Sequence, residues 1–303
     1  MNAYTLPNPR PLELSIAKKL DKHFARNTEW RQFTNGEWFL RIAKKTKRAI
    51  VLGRTEPPSD NLLKTLLLLD TLKRNGAKKI ILVVPYFGYS RQDRVVRNGD
   101  HLPADLFLKL FEAGGATRII TVDLHNTLTT KHSPIPLVSI EGTTEFIAAV
   151  KKTVKKSSML TVVSPDHGGK KRAEQFRNLF NPSLPVCWLK KHRDPKTGTI
   201  HAHKLFGDKR GSTALVVDDI LDTGTTVAAA VRTLKKHGFK TFYLAVIHPV
   251  FSANAVKTLQ KIKFKKIFVS NTIPLSRQTL HSLPITVITT TPLIIHAIKE
   301  LPM

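Results

Sequence analysis

Between Thr213 and Thr226 the chain reads Thr-Ala-Leu-Val-Val-Asp-Asp-Ile-Leu-Asp-Thr-Gly-Thr-Thr, and no other stretch restricts the possible folds so strongly. The apolar run up to Val217 has the composition of a buried strand, and it stops at two adjacent carboxylates, Asp218 and Asp219. After a short turn, Asp222, Thr223, Gly224, Thr225 and Thr226 lead into a helical pattern over 227–237, with Gly238 placed to close it as a left-handed cap. Strand, polar loop and helix in that order belong to a parallel α/β sheet, whose ligands gather at the carboxyl ends of strands. Free N–H groups at a helix start attract phosphate, Gly224 lets the backbone approach closely, and the threonine hydroxyls add donors. Adjacent carboxylates suit ribose hydroxyls or a magnesium ion, which prefers oxygen ligands. The segment reads as a cradle for a phosphorylated sugar. Its alternative is a strand ending in a helix-capping acidic cluster.

The remaining chain supplies a scaffold of duplicated type. Strand, helix, capping glycine, strand and proline recur in that order: 49–53, 61–75, Gly76 and 79–85 in the first half, then 215–217, 227–237, Gly238 and 242–249 in the second. With 303 residues there is room for two cores, and the expected organisation is an N-terminal domain over 1–142 and a C-terminal domain over 143–303, each a mainly parallel α/β sheet flanked by helices. Only the second carries the acidic loop. In the first, the corresponding stretch over 53–58 is Gly-Arg-Thr-Glu-Pro-Pro and has lost the phosphate loop. On the helix over 61–75, Leu62, Leu66, Leu69 and Leu72 are expected to face inward.

Composition removes several classes of function. A single cysteine, Cys187, excludes an internal disulfide and a cysteine metal cluster, and implies a reducing compartment. The first 30 residues hold no apolar core of signal-peptide length, and no run approaches the ~18 apolar residues of a membrane span, so a soluble cytoplasmic protein is expected. A net charge of +27 exceeds what anionic substrates require. Basic clusters such as 44–48, 151–156 and 257–266 are spread over many surfaces, which favours solvated lysine faces, with weak salt-sensitive nucleic-acid binding as the alternative.

Other loops carry ligand-type chemistry. Asn35-Gly36 between alternating apolar positions signals a β-hairpin over 30–42. The stretch over 85–94, Pro-Tyr-Phe-Gly-Tyr-Ser-Arg-Gln-Asp-Arg, follows a strand, and its arginines and glutamine suit phosphate and a base edge. His125 ends another strand and by itself reads as a structural histidine. Ser164-Pro-Asp-His-Gly-Gly169 is a second glycine-rich loop before a helix over 170–180, with Asp166 as its oxygen ligand candidate. An arm over 186–205 reads as an exposed hairpin turning at 194–198, with Lys191 and Arg193 alternating along one strand.

The 213–226 segment resembles the phosphoribosyl diphosphate binding motif of the type I phosphoribosyltransferase fold. Taken with the hairpin over 33–37, the 85–94 loop, Thr121-Val-Asp-Leu-His125 and the 163–169 loop, the chain is similar nearly end to end to the ribose-phosphate diphosphokinase family. The resemblance implies two duplicated phosphoribosyltransferase-like domains and transfer of the diphosphoryl group of ATP to the 1-hydroxyl of ribose 5-phosphate, releasing AMP. Carried over by position, Phe33, Asn35, Glu37, Arg91, Gln92 and His125 would contact ATP, with Phe33 and Glu37 acting across a subunit interface in a homo-oligomer, a dimer or higher. Asp218, Asp219, Asp222, Thr223, Gly224, Thr225 and Thr226 would hold ribose 5-phosphate, His125 and Asp166 would hold Mg2+, and Lys191 and Arg193 would act on the reacting phosphates. Asn35 stands where the family usually has Asp, Thr225 where it often has Gly, and Leu102-Pro103 where it has Ile-Ser. The competing readings are a phosphoribosyltransferase that consumes phosphoribosyl diphosphate, and a non-catalytic regulatory or RNA-binding homologue.

Overall fold

The computed structural model describes residues 2–20, 28–92, 95, 97–154, 159–193 and 200–301, with only the backbone described at 127, 128, 191–193 and 200–203. Runs of valine, isoleucine and leucine form the central strands because helices on both faces of a parallel sheet bury every side chain. The chain divides into two units, residues 1–141 with 291–303, and residues 142–290.

The first unit comprises β1 (Asn2–Thr5), α1 (Pro11–Lys19), β2 (Thr28–Gln32), β3 (Trp38–Ile42), β4 (Arg48–Leu52), α2 (Asp60–Arg74), β5 (Lys79–Val84), α3 (Pro103–Gly114), β6 (Arg118–Val122) and β7 (Leu137–Ile140). Its 5-stranded sheet has the order β1-β4-β5-β6-β7, parallel throughout. The hairpin of β2 and β3 pairs antiparallel, and Gly36 takes φ 93° in its turn. Two strands lie where none was expected. The start of the chain, read as only partly ordered, pairs Asn2 with Ala49 through Thr5 with Leu52, and buries Ala3 and Tyr4. β7 follows the proline-containing stretch over 133–136, and pairs Leu137 with Ile119 through Ile140 with Val122 of β6.

α2 turns its four expected leucines toward the core, but the most buried stripe includes residues the leucine pattern omits. Leu68, Leu69 and Leu72 are buried with Asn61 and Thr65, whereas Leu62 and Leu66 are only partly covered. Thr65 draws the helix round, since its hydroxyl accepts from the Arg54 N–H at 3.0 Å and lies 2.9 Å from the Arg54 carbonyl oxygen. The left-handed cap of α3 is Gly115 (φ 108°), not Gly114, which packs so closely that a Cβ there would sit 3.2 Å from Leu69 Cβ.

Polar groups seal the loop after β4. Arg54, Thr55 and Glu56 are each at most 8% exposed. The Arg54 guanidinium donates to both Glu13 carboxylate oxygens, from Nε at 2.7 Å and Nη2 at 2.6 Å, while Glu13 also accepts from the Arg10 N–H and the Thr5 hydroxyl. Arg10 in turn pairs with Glu56, and the Thr55 hydroxyl donates to the Tyr86 carbonyl at 2.7 Å.

The second unit comprises α4 (Thr143–Thr153), β8 (Leu160–Ser164), α5 (Lys170–Phe180), β9 (Val186–Arg193), β10 (Ile200–Gly207), β11 (Thr213–Leu221), α6 (Thr225–Lys236), β12 (Thr241–Pro249), α7 (Ala255–Gln260), β13 (Lys266–Ser270), α8 (Arg277–Ser282) and β14 (Ile285–Ile288). Its 7-stranded sheet has the order β10-β9-β8-β11-β12-β13-β14, parallel except for the β9–β10 pair. Gly238 takes φ 83° after α6, as Gly76 takes φ 91° after α2, so each unit repeats the strand–helix–glycine–strand plan. The terminal helix α9 (Thr291–Glu300) was placed with the second half by sequence, yet it packs on α1, β6 and β7 and belongs to the first unit. Burial pushes the Cys187 thiol up to about 11, which leaves it protonated and unreactive at neutral pH.

The two kinds of ion pair in the first unit should behave differently. Glu13→Ala strands the buried Arg54 guanidinium and should cost about 3–5 kcal/mol in urea unfolding. Removing the exposed Arg74–Asp70 pair by Arg74→Ala should cost less than about 1 kcal/mol. Equal losses would show that the Glu13–Arg54 pair is not a fixed part of the unit.

Candidate active site

β11 does not stop at its carboxylates. Its ladder with β12 continues through Asp218 opposite Val246, Ile220 opposite His248 and Leu221 opposite Pro249. A counter-charge stands beside the carboxylates. The Arg172 guanidinium, two positions into α5, places Nη2 3.1 Å from Asp219 Oδ2 and Nη1 4.0 Å from Asp218 Oδ1, and the Asp219 N–H donates to Asp218 Oδ1 at 3.0 Å. Asp219 is buried, and only 16% of the Asp218 side chain is exposed.

Burial and the neighbouring Asp219 carboxylate push Asp218 well above the usual carboxylate range, Asp166 adds to the effect, and Arg172 opposes it. The pair is therefore held at high electrostatic cost, the usual mark of a working site. Beside it lies a small depression open to solvent, lined by Arg172, Asp218, Val217, Phe146 and Phe176 among others.

Asp166 stands at the carboxyl end of the neighbouring strand β8. Its Oδ1 accepts from the Gly169 N–H at 2.9 Å, and its carbonyl oxygen accepts from the Ser164 hydroxyl at 2.7 Å. The turn leaves no room for a side chain, because a Cβ on Gly169 would fall 2.6 Å from Ser164 Oγ. The structure thus gathers Asp166, Asp218 and Asp219 around the start of α5. Sequence reasoning did not single out Arg172, whose only local signal is a position one helical turn beyond the glycines.

Asp222, Thr223 and Gly224 form the loop that opens α6. Gly224 is the N-cap residue with φ 75°, a left-handed conformation open to glycine at little cost. Thr223 Oγ1 lies 2.9 Å from Thr225 Oγ1, so the two hydroxyls face one another at the helix start. The Ser252 hydroxyl donates to Asp222 Oδ1. Thr225 and Thr226 form the first turn of α6, where backbone N–H groups lack helical partners.

Other expected site residues lie in the first unit. Phe33 is 44% exposed at the hairpin tip, with the Arg31 guanidinium carbon 4.8 Å from its ring centroid. Asn35 Oδ1 accepts from the Glu37 N–H at 3.1 Å, an acceptor role that Asp fills equally well. Arg91 and Gln92 are exposed after β5, and His125 is exposed after β6. Lys191 and Arg193 lie on β9, opposite His203 and Ile200, but their side chains, and the turn over 194–199, fall outside what is described. Among the described residues no three His, Cys, Asp or Glu side chains converge as a metal-binding group, and no helix is long and apolar enough to cross a membrane.

Parallel sheets flanked by helices, and an acidic strand running into a glycine–threonine helix start, define the class: an α/β protein with two phosphoribosyltransferase-like domains. Comparison narrows this. Residues 1–115 match the family described as the N-terminal domain of ribose phosphate pyrophosphokinase, and residues 183–302 match the phosphoribosyl synthetase-associated domain. A ribose-phosphate pyrophosphokinase of Halalkalibacterium halodurans is 32% identical over 98% of this chain and 93% of its own length. One from Hyphomonas neptunium is 33% identical over 96% and 93%. The crystal structure of phosphoribosylpyrophosphate synthetase from Mycobacterium smegmatis superposes with a TM-score of 0.90 at 28% identity, covering 98% of this chain and 97% of that one. The chain belongs to the ribose-phosphate pyrophosphokinase family, the diphosphokinases of the sequence resemblance.

The raised Asp218 has a consequence for stability. The folded protein keeps this proton at pH values where the unfolded chain has lost it, so the contribution of Asp218 to stability is fully present at acid pH and is lost as pH rises through the folded value. Asp218→Asn should therefore melt higher than the parent at pH 7, and the gap should shrink as pH falls and close below about pH 3, where the unfolded carboxyl is protonated as well. A melting temperature lowered at pH 7 would contradict this electrostatic account.

Proposed function

We propose that the chain makes phosphoribosyl diphosphate, transferring the diphosphoryl group of ATP to ribose 5-phosphate. The 1-hydroxyl oxygen of the sugar bonds to the β-phosphorus as the bond from that phosphorus to the AMP oxygen breaks, and AMP leaves. The observation that carries this reading is the acidic pair Asp218 and Asp219, spaced by one short turn from the Gly224 N-cap of α6. Carboxylates there accept from ribose hydroxyls, and the N–H groups and hydroxyls of 223–226 donate to the 5-phosphate. Family membership favours synthesis over consumption of phosphoribosyl diphosphate, since the matched relatives span the whole chain.

Arg91, Gln92 and His125 would contact ATP, with Phe33, Asn35 and Glu37 of the hairpin serving the base. The exposure of Phe33 fits a contact made across a subunit interface, and so a homo-oligomer. Mg2+ keeps several waters and takes one or two protein ligands plus substrate phosphates, so the Asp166 carboxylate suits it as an oxygen ligand, and His125 is the second ligand that the resemblance implies. When bound, the ion neutralises phosphate charge. Lys191 and Arg193 would supply further positive charge to the transferring group, and a reaction of this kind needs positioning and charge more than covalent help. The substrates are those of a cytoplasmic enzyme.

AMP release from ATP should depend absolutely on ribose 5-phosphate, and replacing Lys191 and Arg193 together by Ala should lower kcat by about 100-fold or more. Release that proceeds without the sugar, or that survives the double replacement, would overturn the assignment.

A further inference from the structure

The loop over 221–224 is braced by a segment that no motif marks. Immediately after β12 the Phe251 N–H donates to the Leu221 carbonyl oxygen at 2.9 Å. The next residue, Ser252, donates its hydroxyl to Asp222 Oδ1. Further on, in α7, Leu259 lies beneath Gly224, where a Cβ would meet Leu259 Cδ2 at 3.4 Å. Successive positions of the loop therefore rest on one segment, 251–259.

That segment is itself held under strain. Phe251 (φ 51°) and Ala253 (φ 47°) flank Ser252 in left-handed conformations, which cost non-glycine residues free energy and persist only where the surroundings enforce them. Phe251 packs against the core of the second unit, which anchors the turn. Burying part of Phe251 and aiming the Ser252 hydroxyl at Asp222 are the visible returns for that strain.

We propose that Ser252 is a positioning residue for sugar-phosphate binding: it fixes the Asp222 carboxylate so that the loop opening α6 is formed before substrate arrives. The proposal rests on the reading that this loop binds ribose 5-phosphate. Loss of the serine removes one hydrogen bond that orders the Asp222 carboxylate, and that part of the ordering is then taken from binding. Because Ser252 belongs to the second unit and acts through the sugar loop, the effect should fall on ribose 5-phosphate and not on ATP.

Steady-state kinetics of S252A and S252T, with amide exchange of the substrate-free proteins, test this. S252A should raise the KM for ribose 5-phosphate about tenfold or more, the size of one lost hydrogen bond to a charged group, while the KM for ATP stays within about twofold. S252T, which keeps the hydroxyl, should restore the parent value to within about threefold. Amides over 221–226 should exchange faster in S252A, with the rest of the unit unchanged. Unaltered constants, or KM values for both substrates rising together with a lowered Tm and no rescue by threonine, would overturn the proposal. A parent protein that releases no AMP would sink the proposed function instead, and the exchange rates would still decide whether Ser252 orders the loop.

Discussion

Two adjacent carboxylates near the end of a buried parallel strand, with one arginine beside them, are the constraint to which the second unit is fitted. Asp218 and Asp219 cannot both be ionised cheaply at such burial, and Arg172 offsets only part of that cost. Everything near them serves to keep them there. α5 begins after a glycine turn too tight for a side chain, which brings Arg172 within reach of the pair. The ladder between β11 and β12 runs past the carboxylates, so the loop leaves the sheet only after Leu221. A charged site of this kind works against stability, and such a cost is sustained where a ligand uses the charge.

The first unit repeats the plan with the opposite outcome. After β4, the strand that corresponds to β11, the chain turns into Arg54, Thr55 and Glu56, all of them buried and each tied to a partner. Glu13 reaches this loop from α1 and accepts from both sides of the Arg54 fork, which is the geometry that compensates a buried pair most fully. In this loop the Arg54 and Glu56 side chains are engaged in internal ion pairs, and the sequence lacks the glycine–threonine helix start. The same scaffold has thus been filled in one copy and left open in the other.

Much of this was legible where the pattern is local. The hairpin at Asn35-Gly36, the helix of α5 and the left-handed glycines after α2 and α6 each follow from a few neighbouring residues, and the structure places them as expected. The glycine–threonine start of α6 was legible for the same reason, although β11 runs on through Asp218 and Asp219 to Leu221. Elements defined by a distant neighbour were not. β1 and β7 are short edge strands that exist through their pairing, and α9 returns to helix α1 nearly the full length of the chain away. Arg172 and Ser252 were missed because their partners lie far off in sequence; Ser252 and Asp222 are 30 residues apart. Thr65 was left off the buried face of α2 because a hydrophobic pattern counts its hydroxyl as polar, whereas it is buried against the Arg54 backbone.

Tracing the β-phosphorus of ATP tests the central claim most directly. With ribose 5-phosphate present and the β-position isotopically labelled, the account predicts label in a diphosphorylated sugar and none in the nucleotide product, which is AMP. Label retained in ADP would mean that only the terminal phosphoryl group moves, and would contradict it.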